Sequence, residues 1–116
     1  MQLIYCIKDY HMDNREHLVG LFTTKEVAYI GTQQYLDYLI YDARTYLGGK
    51  ELEEELDYIT KVKEDFLPMI NSFKLEVGHG ASTKCFSIEC LPVYEGMEDF
   101  FRTDNTTDLK GGKDGN

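Results

Sequence analysis

The sequence predicts an α+β domain of order β-β-α-α-β-β, an antiparallel sheet packed on one face by a two-helix hairpin. Three patterns carry that expectation. Alternating apolar runs open the chain and recur between residues 73 and 91. Two long stretches with apolar residues three or four apart lie between them. The Gly48-Gly49 pair divides those stretches and leaves room only for a tight reversal.

Residues 2–8 read as a first strand, with Leu3, Tyr5 and Ile7 pointing one way and Ile4 and Cys6 the other. A polar loop over 9–16 leads to a second strand, His17 to Phe22. That connection is too short for a crossover helix, so the two strands should pair antiparallel. Thr23 is placed to cap the first helix, with Glu26 at the third helical position and Phe22 and Val27 spaced as a hydrophobic staple. The helix should run to about Leu47. Its buried face is expected to hold Ala28, Tyr35, Leu39, Ala43 and Leu47, widened by Val27, Leu36, Ile40 and Tyr46. Gly31 weakens a helix by up to about 1 kcal/mol relative to alanine and so marks a bend or close packing.

The second helix begins near Lys50, with Leu52, Leu56, Ile59, Val62, Phe66 and Ile70 on one side. Pro68 predicts its end at Phe66 or Leu67, with a further turn near Asn71. Phe73 to Val77 alternates like a third strand, and Gly78 to Ser82 supplies a turn. Lys84 to Leu91 reads as the fourth strand, and Pro92 limits its continuation as a central one. Tyr94 to Phe101 adds an edge segment or helical turn. Residues 1–101 thus make one compact domain, and 102–116 an acidic, glycine-rich tail expected to be disordered.

Twelve basic residues against 21 acidic ones give a net charge of -9. That balance disfavours direct nucleic-acid binding, which needs lysines and arginines on the phosphates. The negative charge is local. One block is Glu51, Glu53, Glu54, Glu55, Asp57, Glu64 and Asp65 against Lys61 and Lys63. The other is Glu95, Glu98, Asp99, Asp104 and Asp108 against Arg102. An acidic helix face keeps a small protein soluble and steers basic partners toward it. No apolar run is long enough to span a bilayer, and the opening segment does not read as a signal peptide. Cys6, Cys85 and Cys90 cannot all pair within one chain, which fits reduced thiols in the cytoplasm.

Two clusters stand out chemically. Asp9, His11, Asp13 and His17 fall in or beside the first loop, and imidazoles with carboxylates there are a candidate divalent-metal set. The pattern matches no specific metal motif, so a polar hairpin connection is the simpler expectation, with no cofactor. His79, between two glycines, lacks the phosphate-loop pattern, and Cys85 and Cys90 face opposite ways on a regular strand. The second cluster is aromatic. Tyr29, Tyr35, Tyr38, Tyr41 and Tyr46 crowd the first helix, more than one narrow stripe can bury. Tyr38, Tyr41 and Asp42 lie off the buried side and are candidate partner-binding residues, joined by Glu53 and Glu54 as steering charges.

The passage Val19-Gly20-Leu21-Phe22-Thr23-Thr24-Lys25-Glu26-Val27-Ala28 resembles the strand-to-helix passage of many small phage and bacterial proteins of unknown function. The resemblance covers about residues 2–40 and carries no catalytic residues with it. It implies a phage or mobile-element accessory protein, some of which inhibit bacterial defence or regulatory proteins. Together these readings favour a non-enzymatic protein binder, whose partner is a host protein with a basic surface or a second copy of the chain. The alternatives are a small metal-binding enzyme or regulator built on the first loop, and a small-ligand module with a pocket between sheet and helices.

Overall fold

A computed structural model describes residues 2–11 and 15–96. The expected tail and most of the expected segment after Tyr94 lie outside the described residues. The element order is β1 (Gln2–Asp9), β2 (His17–Phe22), α1 (Lys25–Tyr46), α2 (Gly49–Ser72), β3 (Gly80–Ser82) and β4 (Phe86–Val93). The four strands form one antiparallel sheet in the order β2-β1-β4-β3. Both helices cover one face of it. Tyr5 and Ile7 of β1 and Phe86, Ile88 and Cys90 of β4 point into the core, against Ala28 and Leu36 of α1 and Ile59, Val62, Phe66 and Ile70 of α2. No helix among the described residues is long and apolar enough to cross a membrane.

The start of α1 differs from the expected cap by one residue. Thr24, not Thr23, holds the cap, and its hydroxyl accepts the Val27 amide at 3.1 Å. Val27 is therefore exposed rather than part of a staple. Phe22 has another role, which explains both Gly20 and Gly31. A Cβ at either glycine would stand 2.4 Å from the Phe22 ring, well inside contact distance. The ring lies over Gly20 of its own strand and under Gly31 of α1, locking helix to strand.

The helices run antiparallel. Lys25 Nζ donates to the Asn71 carbonyl at 2.8 Å, which places the start of α1 beside the end of α2, and Lys63 meets Asp37 at 3.2 Å. α2 continues through Pro68 to Ser72, past the expected stop. The proline removes only the bond to the Glu64 carbonyl, and both residues lie on the exposed side, where water takes its place. Phe66, Leu67 and Ile70 are buried on either side of it and hold the helix on course.

The third strand is also displaced. Residues 73–77 are not a strand, because Phe73 turns inward and stacks on His79, with centroids 4.6 Å apart and planes 9° from parallel. His79 Nδ1 and the Lys74 carbonyl close the same turn, and the His79 amide donates to Glu76 O at 3.0 Å. Pairing begins only at Gly80 and lasts three residues. This short partner resolves the position of Pro92 in β4. The Cys90 amide points toward the β3 side, donating to His79 O at 3.0 Å. By alternation the Pro92 nitrogen points that way too, beyond the last residue paired with β3.

Two stability outcomes follow. Thr24→Ala should cost about 0.5–2 kcal/mol in chemical denaturation and Thr23→Ala clearly less, the reverse of what a Thr23 cap requires. Gly31→Ala should destabilise by about 1–3 kcal/mol despite the better helix propensity of alanine. In a Phe22→Leu background the same change should turn neutral or stabilising; an equal penalty in both backgrounds would show that the ring is not the obstacle.

Candidate functional site

Asp9 ends β1 in the register that points Tyr5 and Ile7 into the core, so its carboxylate is carried under the helices with no solvent exposure. Such a group must be hydrogen-bonded to be tolerated. Three donors meet it. The Tyr35 hydroxyl of α1 donates at 2.6 Å, the His11 amide at 2.9 Å, and His11 Nδ1 lies 2.7 Å from both carboxylate oxygens. The imidazole is held on two further sides by α2: it stacks on Tyr58 with centroids 4.9 Å apart, and its Nε2 lies 3.6 Å from a Glu55 oxygen. One buried carboxylate and one imidazole thus join β1, α1 and α2.

Burial by itself pushes the Asp9 carboxyl up, but the bonds from the His11 ring, Tyr35 and the His11 amide, with the charge of His11, together hold it below its ordinary value. The hydrogen bond to Asp9 raises His11, against the opposing effect of burial and with help from the charges of Asp9 and Glu55. Burial first, then the bond to Asp9, raises the Tyr35 phenol. Both directions favour the imidazolium–carboxylate form of the pair. Held by Asp9 on one side and by Tyr58 and Glu55 on the others, the imidazole ties the end of β1 to α2.

Two depressions open beside the tie. One of about 380 Å³ is walled by His11, Glu51, Glu54, Glu55, Tyr58 and Cys85, and another of about 360 Å³ by His11, Leu39, Asp42, Tyr46 and Glu55. The Tyr58 hydroxyl is buried without a hydrogen bond of ordinary geometry. Desolvation raises its pKa, reinforced by the nearby Cys85 sulfur.

Of the first-loop set, the structure brings Asp9 and His11 together. His17 stands opposite Asp9 on β2 but is exposed, while the Asp9 carboxylate is bound by Tyr35 and His11. Asp13 lies outside the described residues. Among the described residues no group of three His, Cys, Asp or Glu side chains is placed to hold a metal ion.

The aromatic set separates into different places. Tyr38 and Tyr41 are each 61% exposed on the outer side of α1. Asp42 is half-buried at the rim of a depression beside His11, and Glu54 lines the opposite side of α2 with Cys85. Glu53 is exposed on α2. The outer side of α1 also holds Ile30 at 53% exposure, which the sequence did not single out, and Val27 at 49%, which was expected on the buried face. At 3.6 residues per turn, Val27, Ile30, Gln34, Tyr38, Tyr41 and Thr45 form one stripe. It carries no charged side chain.

The His11–Asp9 pair makes stability depend on pH in a defined way. A raised imidazole contributes its full stability below about pH 6.5, and this is lost as pH rises through the higher folded value. The lowered Asp9 carboxyl contributes fully above about pH 3.9 and loses that contribution as pH falls through its lower folded value. Urea midpoints should therefore show the largest gap between the native chain and His11→Gln from about pH 4 to 6.5, shrinking at higher pH. A gap that stays constant from pH 5 to 9 would remove the imidazolium from this account.

Comparison with protein-family models, curated proteins and solved structures gives no match to this chain, so its function has to be read from its own surface and site.

Proposed function

We propose that this chain is a non-enzymatic protein-binding accessory protein whose contact surface is the outer side of α1. The observation that carries the reading is the uncharged stripe from Val27 to Thr45 on a helix already anchored by its other side. A helix needs one apolar face to pack against its own sheet, and a second face with two aliphatic residues and two tyrosines contributes nothing to that packing. Tyrosines give large, stiff contact area with a polar edge, which suits a surface that is wet when free and dry when bound. The acids of α2, Glu53 and Glu54 among them, favour a partner with a basic surface by steering the encounter. A bacterial defence or regulatory protein as target, in the manner of phage-encoded inhibitors, is the biological setting that the strand-to-helix resemblance suggests. A second reading, a small-ligand module, rests on the depressions beside His11 and the buried Tyr58 hydroxyl at the edge of one of them.

Tyr38→Ala and Tyr41→Ala should each weaken capture of a protein partner about tenfold or more while shifting the thermal midpoint little, because neither ring packs in the core. Capture measured with purified tagged chain that is unchanged in both folded variants would exclude this face. Reversing Glu53 and Glu54 should lower the association rate and its salt dependence with little effect on dissociation.

A further inference from the structure

We infer that the outer stripe of α1 is covered by the same stripe of a second copy, packed antiparallel about a two-fold axis at Gln34. The inference rests on the reading of this face as a contact surface and names its occupant. The spacing of the stripe is symmetric about Gln34. Ile30 stands four residues before it and Tyr38 four after; Val27 stands seven before and Tyr41 seven after. In an antiparallel pair centred on Gln34, each aliphatic side chain therefore meets a tyrosine of the other copy. The Val27–Tyr41 and Ile30–Tyr38 contacts each occur twice, and all four residues are about half exposed or more in the single chain. At the centre the two Gln34 amides face each other, and each can donate to the other's oxygen. Closed pairing of one patch with itself is the commonest symmetry of soluble assemblies.

Charge supplies an independent argument. Glu26 and Arg44 lie on the same flank of the stripe, because 18 residues are five full helical turns. An in-plane two-fold brings like flanks of the two copies side by side, with Glu26 of one copy within about 3 Å along the axis of Arg44 of the other. Two ion pairs of opposite sign result, one at each end. Both residues are exposed, and neither has an ion-pair partner among the described residues. The stripe is long enough for such a pairing, about 21 Å from Val27 to Tyr41.

Light scattering on the purified full chain should give a concentration-dependent mass approaching twice the 13.4 kDa of one chain. Glu26→Arg alone and Arg44→Glu alone should each weaken self-association about tenfold, since each removes both pairs and sets like charges opposite. The two together should restore it. Under mild oxidation, Gln34→Cys should form a covalent dimer much faster than Gln33→Cys, whose side chain lies off the axis, with the unsubstituted chain as the baseline. A chain that stays monomeric throughout the accessible concentrations overturns the inference, as does a double swap that fails to recover or equal cross-linking at 33 and 34. A monomeric chain whose Tyr38→Ala and Tyr41→Ala forms still lose a different protein partner would overturn the self-pairing and keep the contact surface. Circular dichroism of every variant separates these outcomes from unfolding.

Discussion

A carboxylate with no access to water organises this fold. Removing an unpaired carboxylate from solvent costs several kcal/mol, and Asp9 is tolerated at the end of a central strand only because its donors come from β1's own continuation and from α1. His11, fixed by Asp9, then reaches α2 through Tyr58 and Glu55. The first helix is also pinned to the sheet at two points one turn apart. At one, Phe22 sits between Gly20 and Gly31; at the other, Tyr35 grips Asp9. These two contacts position α1 on the sheet, and α2 follows through the two-residue link Leu47-Gly48.

That rigidity gives the outer side of α1 its meaning. A helix anchored on its inner side presents its outer surface with the backbone already ordered, so little backbone entropy remains to be lost when a partner arrives. The division of labour between the helices is clear in their composition. α2 has one apolar side, and the rest is filled with acids. α1 is apolar or aromatic on opposite sides, with charges confined to the flanks. One helix governs approach and the other contact.

Much of this was legible in the residues, and the exceptions have physical causes. Element order and the hairpin were readable because the alternating and three-to-four periods are long and Gly48-Gly49 is unambiguous. The exposure of Tyr38 and Tyr41 followed from their place opposite Ala28, Leu36 and Ala43. Local rules failed where tertiary contacts outweighed them. Pro68 stays helical because buried neighbours on both sides outweigh one lost hydrogen bond. Phe73 leaves its strand-like run to stack on His79, which no periodicity announces. The tie at Asp9 was half visible: extending β1 by one residue turns Asp9 inward beside Tyr5 and Ile7, and an inward carboxylate demands donors. Tyr35 was readable as buried, and its hydroxyl as needing a partner. Glu55 and Tyr58 were not, because they reach His11 only through the crossing of α2 over the end of β1. The candidate metal set drew on sequence proximity; the register does set His17 opposite Asp9, but Tyr35 and His11 already hold the carboxylate and His17 stays exposed.

The nesting of Phe22 between two glycines has a consequence for how the chain can change over generations. Positions 20, 22 and 31 form a single heritable unit spread over a strand and a helix. While the phenyl ring stays, neither glycine is free to drift. Once it is replaced by something smaller, both are released and larger residues become advantageous there. The order of events is therefore constrained: the aromatic must yield first, and its loss opens a void that later substitutions fill.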